Sequence, residues 1–209
     1  MPNGDTAEED TPDGDNPSGR RLQQLRPGQL DGEQRAVYDA ITGGPRASGP
    51  RHFPLTDPEG RLHGPFDAML RSPRVGGALQ DLGAALRYGT GLPARLREIL
   101  ILAVAAAEDS AFERFAHEAV GRAVGLDDDE VAAIRDGGRL PSEGDGVEGL
   151  ALRAARSLLD DGDLDDGTYY ALLEALGERG LFELTTLVGY YRLLALQLRV
   201  FRVPIPEDT

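Results

Sequence analysis

The chain has 209 residues, a net charge of −14 and no cysteine. With no Lys/Arg cluster to offset that acidity, a duplex nucleic-acid partner is excluded. The missing cysteine excludes disulfides, thiolate nucleophiles and thiol redox cycles, and because all 22 basic residues are arginine a lysine Schiff base is excluded too.

Leucine and alanine dominate and aromatics make up 6%, so the composition reads as helical. In chain order, Met1 to Arg26 holds Pro, Gly, Asp and Glu with little to bury, and is expected to be a disordered acidic tail. It has no apolar signal-peptide core, which makes the cytoplasm the expected location. Leu30 to Ile41 reads as a short helix, with Asp31 as N-cap and Val37, Tyr38 and Ile41 at helical spacing. Thr42 to Pro65 carries five prolines, which forbid regular helix. A loop of that length is often functional, and it holds His52 and His63, both expected to be exposed.

From Phe66 onward the pattern is helical to the end. Val75 to Gly89 has leucines at 79, 82 and 86. Leu92 to Asp109 opens with Pro93, expected at a first-turn position, and is apolar nearly all round, as a central buried helix is. Its longest apolar run, Ile99 to Ala107, is too short to span a bilayer. Ser110 to Gly125 follows, with the glycine as C-terminal cap. Asp127 and Glu130 then make a capping box. Gly146 to Gly162, Leu164 to Gly180 and Leu181 to Val203 supply three more helices. The expectation is one all-α domain, Leu30 to Pro206, behind a tail of residues 1–26.

Candidate chemistry sits on two neighbouring helices. Glu113 and His117 are four apart and share a face, with Ser110 one turn earlier. A carboxylate beside an imidazole orients it and makes a general acid/base unit. By spacing alone the same pair is an ordinary salt bridge. Glu98 is an acid on an otherwise apolar helix, and a buried carboxylate needs a partner or a proton. Either it crosses a helical hairpin to the Glu113/His117 face, or it pairs with Arg95 or Arg97 or reaches solvent. Tyr190 and Tyr191 either donate phenolic hydrogen bonds to a substrate or pack in the core. Arg95 and Arg97 either hold a substrate carboxylate or pair on the surface. The three histidines are too scattered for a metal site, and no metal is expected.

The stretches LHGPFDAMLRSP, LPARLREILILAVAA, FERFAHEAVGRAVGLDDDEVAAI and LVGYYRLLALQLRVFRVPIP resemble, in order, the carboxymuconolactone decarboxylase and alkylhydroperoxidase D-like family. The resemblance implies an all-helical bundle that assembles as a trimer, hexamer or dimer, with helical pockets near subunit interfaces. It places the family's glutamate on Glu98 and its histidine on His117, and its two cysteine positions on Ser110 and Glu113. Both sulfurs are missing, so this is a Cys-less branch in which a hydroperoxidase cycle is unavailable. Glutamate at the second cysteine position is a recurring variant, usually as aromatic–Glu–aromatic–x–x–His. Here the run is Phe112–Glu113–Arg114–Phe115–Ala116–His117, with Arg114 in place of the second aromatic.

The family's lactone decarboxylases also lack thiols and work without cofactor. The resemblance thus implies a cofactor-independent acid/base enzyme acting on a small organic acid or an enolisable ring compound. The reaction would be decarboxylation, isomerisation or water elimination. His117 would shuttle the proton, Glu113 would orient it, and Glu98 would be a second acid/base or fix the pocket charge. Ser110, Tyr190, Tyr191 and Arg97 would bind the small-molecule substrate. The competing expectation is a non-catalytic oligomeric binding protein that kept the fold after losing the cysteines.

Overall fold

The computed structural model describes residues 19–44, 54–140 and 146–206. Among them the architecture is helical, with an isolated β-bridge, Thr56 to Leu62, as the extended exception. Helix α1 spans Gly32–Gly43, α2 Phe66–Met69, α3 Pro73–Tyr88, α4 Ala94–Ala107, α5 Ala111–Ala123, α6 Asp128–Arg135, α7 Val147–Asp160 and α8 Asp166–Val200. No helix among the described residues is long and apolar enough to cross a membrane.

Local chemistry sets the helix ends. Asp31 caps α1 by accepting from the Gln34 amide, and the Gln34 side-chain oxygen accepts in turn from the Asp31 amide. Asp127 and Glu130 form the same reciprocal box at α6. Pro73 opens α3, where its missing N–H costs nothing. Pro93 stands one residue before α4 rather than inside its first turn. Gly125 follows α5 with φ +97°, a left-handed conformation that glycine adopts without strain. The last two expected helices are one element broken at Gly177, whose φ of 69° and ψ of 174° bend α8.

Helix α4 is the axis of the molecule. It packs against α5, α6, α7 and α8, and Leu96, Ile99, Leu100 and Val104 are essentially inaccessible. Each such side chain contributes roughly 1.5–3 kcal/mol by leaving water. A tight turn through Glu108, Asp109 and Ser110 reverses the chain, so α4 and α5 form a hairpin. Asp109 takes φ 48°, which aspartate tolerates better than most residues. Two arginines of α8, Arg192 and Arg199, clasp the Glu108 carboxylate at 2.9 and 2.8 Å and fasten the hairpin tip to the last helix.

The N-terminal expectation needs a correction at its edge. Gly19 to Arg26, read as the end of the tail, lie against the domain. The Leu25 amide donates to Asp67 at 2.9 Å, Gln24 donates to the Leu62 carbonyl at 2.8 Å, and the Arg21 amide donates to the Phe201 carbonyl at 3.0 Å. Leu25 also packs on the core, which repays its ordering. The rest of the tail, 1–18, lies outside the described residues.

Candidate active site

The α4–α5 hairpin brings Glu98 and His117 together. His117 Nδ1 lies 2.7 Å from Glu98 Oε2, and both side chains are buried. Glu98 therefore pairs with neither Arg95 nor Arg97. The contact also corrects the role expected of Glu113: the carboxylate that orients His117 is Glu98, from the neighbouring helix, not the residue one turn earlier. An i,i+4 pair on one helix lies side by side, whereas a facing helix aims its carboxylate end-on at the ring. The Tyr191 ring meets the imidazole edge-on at 5.1 Å, and Tyr190 stacks edge-on against Tyr191 at 5.3 Å. The imidazole is thus held on two sides, with Nδ1 occupied and Nε2 without a hydrogen-bond partner among the described residues.

Glu113 is in a different state. It is 3% exposed, and neither of its oxygens has a hydrogen-bond partner among the described residues. Burial pushes this carboxyl up to about 8, the nearby Ser110 hydroxyl opposes the rise, and the charge of Glu108 adds to it. At neutral pH Glu113 is mostly the protonated acid, a donor without an acceptor. The Ser110 hydroxyl, buried beside it, is near enough to bear on that carboxyl yet falls outside hydrogen-bonding geometry among the described residues. Buried polar groups are nearly always paired, so two orphans side by side mark the place for explanation.

Both clusters face one cavity of about 340 Å³, the scale of a small-molecule site. Glu98, Glu113 and His117 line it together with Arg97, Tyr190 and Tyr191. Ser110 is not part of the wall; it stands behind Glu113 at the start of α5. The long loop contributes Leu55 and Pro65 to the rim. Gly64, at φ +62°, lets that loop approach so closely that an added Cβ would collide with the Phe112 ring, itself part of the wall. His63 is half-buried away from the cavity, and burial holds its pKa below the usual value; His52 lies outside the described residues.

Arg95 and Arg97 part company. Arg95 bonds Glu130 at 2.6 Å and Glu148 at 3.0 Å, away from the cavity. Arg97 donates to the Leu92 carbonyl at 2.7 Å, reaches the cavity and has no carboxylate partner among the described residues. A second cationic wall residue, Arg87 on α3, escaped the sequence reading. It sits in the last turn of its helix, where an arginine reads simply as a partner of the helix dipole. Burial opposes its charge, yet Tyr191 and Glu98 hold its pKa above the ordinary value. Tyr191 is pushed up by burial and by the Glu98 charge, and stays a neutral phenol. No group of three His, Asp or Glu among the described residues is arranged to hold a metal ion.

With this geometry in view, residues 73–157 match the model of the carboxymuconolactone decarboxylase family. Over that segment, fewer than half of the chain's residues, the sequence is similar to that family. The matched segment runs from α3 into α7 and contains Arg87, Arg97, Glu98, Glu113 and His117, in a Cys-less form. The whole fold has solved counterparts. A peroxidase-related protein of Ralstonia eutropha JMP134, described as an alkylhydroperoxidase AhpD core, superposes with a TM-score of 0.69 at 14% identity, over 90% of this chain and 93% of its own. A peroxidase-related protein of Silicibacter sp. TM1040 gives 0.67 at 11% identity, over 90% and 93%. The debrominase Bmp8, in a complex with 2,3,4-tribromopyrrole, gives 0.67 at 13% identity, over 90% and 94%. No curated protein sequence matches the chain. At these identities the counterparts establish an all-helical, alkylhydroperoxidase D-like bundle and leave the chemistry to be argued from the cavity.

Proposed function

We propose that the chain is a cofactor-independent acid/base enzyme that forms and collapses an enol on a small carboxylic acid. The observation that carries this reading is the coexistence, in one cavity, of an oriented imidazole and a buried carboxyl that holds its proton. A buried carboxyl that keeps its proton beside an oriented imidazole supplies a separate acid and base within one site.

Glu98 holds His117 through Nδ1, so Nε2 is the nitrogen that takes or returns a proton. The bond that breaks lies beside a carbonyl, either C–H or C–carboxylate. Its electron pair moves onto the carbonyl oxygen, and Glu113 donates its proton there. His117 receives the proton in the C–H case, or delivers one to carbon after carbon dioxide leaves. Glu113 thus acts as the acid rather than the orienting group. Arg97 and Arg87, neither in an ion pair with a carboxylate among the described residues, supply positive charge for the substrate's own carboxylate. The neutral phenols of Tyr190 and Tyr191 complete the wall. A bromopyrrole bound by a debrominase of the same fold supports a ligand of small-ring size.

The test is solvent deuterium exchange. The full chain is incubated in heavy water with a panel of keto acids, unsaturated lactone acids and enolisable cyclic acids, and carbon-bound deuterium is read by mass spectrometry. The expected result is exchange with at least one compound. His117→Ala should lower it about 10²–10⁴-fold, and Glu98→Gln should lower it less, with folded circular dichroism retained in both. Wild-type-like exchange by His117→Ala would remove His117 from the mechanism. A panel that exchanges nowhere would count for the binding-protein alternative.

A further inference from the structure

The cavity has two unlike ends. Among the described residues, the exposed members of its wall are Tyr88, Ala94 and Ala123. They are the last residue of α3, the first of α4 and the last of α5. Because α4 and α5 run antiparallel, those three termini gather at one end of the bundle, and that end is the mouth. Down α5 the wall continues through Val120, His117, Ala116, Glu113 and Phe112, all buried. Five residues separate His117 from Phe112, about 7 Å of helix at roughly 1.5 Å each. At that depth Leu198 of α8 packs on Phe112 and Ala116, and the close approach of Gly64 to the Phe112 ring brings Pro65 and Phe66 alongside.

The inner end is apolar and unfilled. Phe112, Ala116 and Leu198 pack with one another and with Val203 as a cluster apart from the main core. Phe66, Tyr190 and Leu194 belong to the main core. Both sets line the cavity, which therefore lies between them. Val120, buried on the same wall, joins neither cluster. Protein interiors ordinarily close such gaps, and apolar side chains that face a void lack van der Waals partners on that side. A guest with apolar surface of its own supplies them.

The polar groups follow an order along the same axis. Arg87 and Arg97, both half-buried, stand one and three residues in from the mouth residues Tyr88 and Ala94. Arg97 gives one nitrogen to the Leu92 carbonyl at 2.7 Å, and its other nitrogens have no partner among the described residues. The Glu98–His117 pair and Glu113 come next. Past Glu113, among the described residues, the wall carries no charged side chain. Positive charge, proton-transfer groups and an apolar lobe thus succeed one another from the mouth inward.

We infer that the substrate is an amphipathic acid, bound with its carboxylate outward and carrying an aryl or branched alkyl group beyond its reacting carbon. The carboxylate rests on Arg87 and Arg97 inside the mouth. The carbonyl and the reacting carbon lie between Glu113 and His117, and the apolar group fills the lobe bounded by Phe112, Ala116 and Leu198. Ala116 sets the width of that lobe, because its side chain ends at Cβ one residue before His117. The placement of the reacting carbon rests on the acid/base reading above; the binding preference does not.

The test is isothermal titration calorimetry of the full chain at neutral pH with pyruvate, 2-oxobutanoate, 2-oxopentanoate and phenylpyruvate. Kd should fall roughly fourfold per added methylene and be lowest for phenylpyruvate. Phenylacetone, which keeps the ring and carbonyl but lacks the carboxylate, should bind about tenfold more weakly or worse. Ala116→Leu, and separately Leu198→Phe, fill the lobe; each should weaken phenylpyruvate about tenfold and pyruvate less than about threefold, with circular dichroism unchanged. The wild-type series decides by itself if either variant is unfolded. A flat series, phenylacetone bound as tightly as phenylpyruvate, a preference unmoved by both folded variants, or no saturable binding by any of the acids would each overturn the inference. Heavy-water exchange on the same compounds separates the two readings. Length-dependent binding without exchange would keep the ligand class and remove the acid/base step, whereas exchange with a flat binding series would do the reverse.

Discussion

Helix α4 carries two polar clusters that look alike in sequence and differ in completion. At its first turn Arg95 joins Glu130 and Glu148, and every charged group there has a partner. Arg95 bonds Glu130 at 2.6 Å, Glu148 at 3.0 Å and the Gly125 carbonyl, while Glu130 also accepts from the Asp127 amide at 3.1 Å. The hydrogen bond that Arg95 donates to Glu130, with burial opposing and Glu148 assisting, holds the Arg95 pKa well above its ordinary range. One turn on, Glu98 meets His117, but Glu113 and Ser110 beside them stay buried without hydrogen bonds, next to an open cavity. The first cluster is closed and ties three helices together. The second leaves capacity for a guest. Partner satisfaction, rather than burial or charge, separates a structural polar cluster from a candidate site.

The largest break is at the closed cluster. Arg95→Ala leaves Glu130, 2% exposed, without its cation, and removal of one partner of a buried pair costs about 3–5 kcal/mol. A urea denaturation midpoint within experimental error of wild type would refute the structural assignment. Catalysis measured on the remaining folded fraction should be unaffected, because Arg95 does not reach the cavity.

A smaller, pH-dependent effect belongs to Glu113. Folding raises its pKa from near 4.5 to about 8. Between those values the folded chain keeps a proton that the unfolded chain has released, so stability falls as pH rises through the window and is lowest above it. Glu113→Gln cannot ionise, so its stability relative to wild type should climb across the same window, by at most ~1.4 kcal/mol per pH unit. Denaturation of both proteins at pH 5, 7 and 9 reads this directly. Parallel profiles would mean that Glu113 is not held protonated.

The smallest effect on stability, and a selective one on binding, is expected at Arg97. Arg97→Met should shift unfolding by only about 0.5 kcal/mol, since its single resolved bond is to the Leu92 carbonyl. For a carboxylate substrate it should raise KM with little change in kcat, measured by initial rates. Set beside Arg95→Ala, it separates two arginines two positions apart: one holds the fold and the other serves the cavity.

Much of the site was legible because it depends on local spacing. Glu113 and His117 share a helical face whatever surrounds them, and an acid amid Ile99, Leu100 and Ile101 announces a buried carboxylate. The pairing was not legible. Whether Glu98 or Glu113 holds the imidazole depends on how two helices are rotated about their axes, and the Asp109 turn and the packing of Leu102 and Gly121 settle that in three dimensions. Arg87 was missed because its distance from Tyr191 and Glu98 is set by a helix that follows no motif in the stretch quoted for the site. Residues 20–26 were misjudged because their anchors, Leu62, Asp67 and Phe201, are remote in the chain.

The sequence by itself determined the helical class, the capping boxes at Asp31 and Asp127, the buried character of α4 and the absence of thiol chemistry. Each of these follows from residue type and from contacts within about one helical turn. Only the tertiary structure decided which carboxylate orients His117, that Glu113 lies buried without a hydrogen-bond partner among the described residues, that Arg87 joins the cavity wall, and that Phe182 and Leu196 of α8 stay exposed. Each of those depends on groups brought together from distant parts of the chain, where distance and desolvation, rather than spacing, set protonation and pairing.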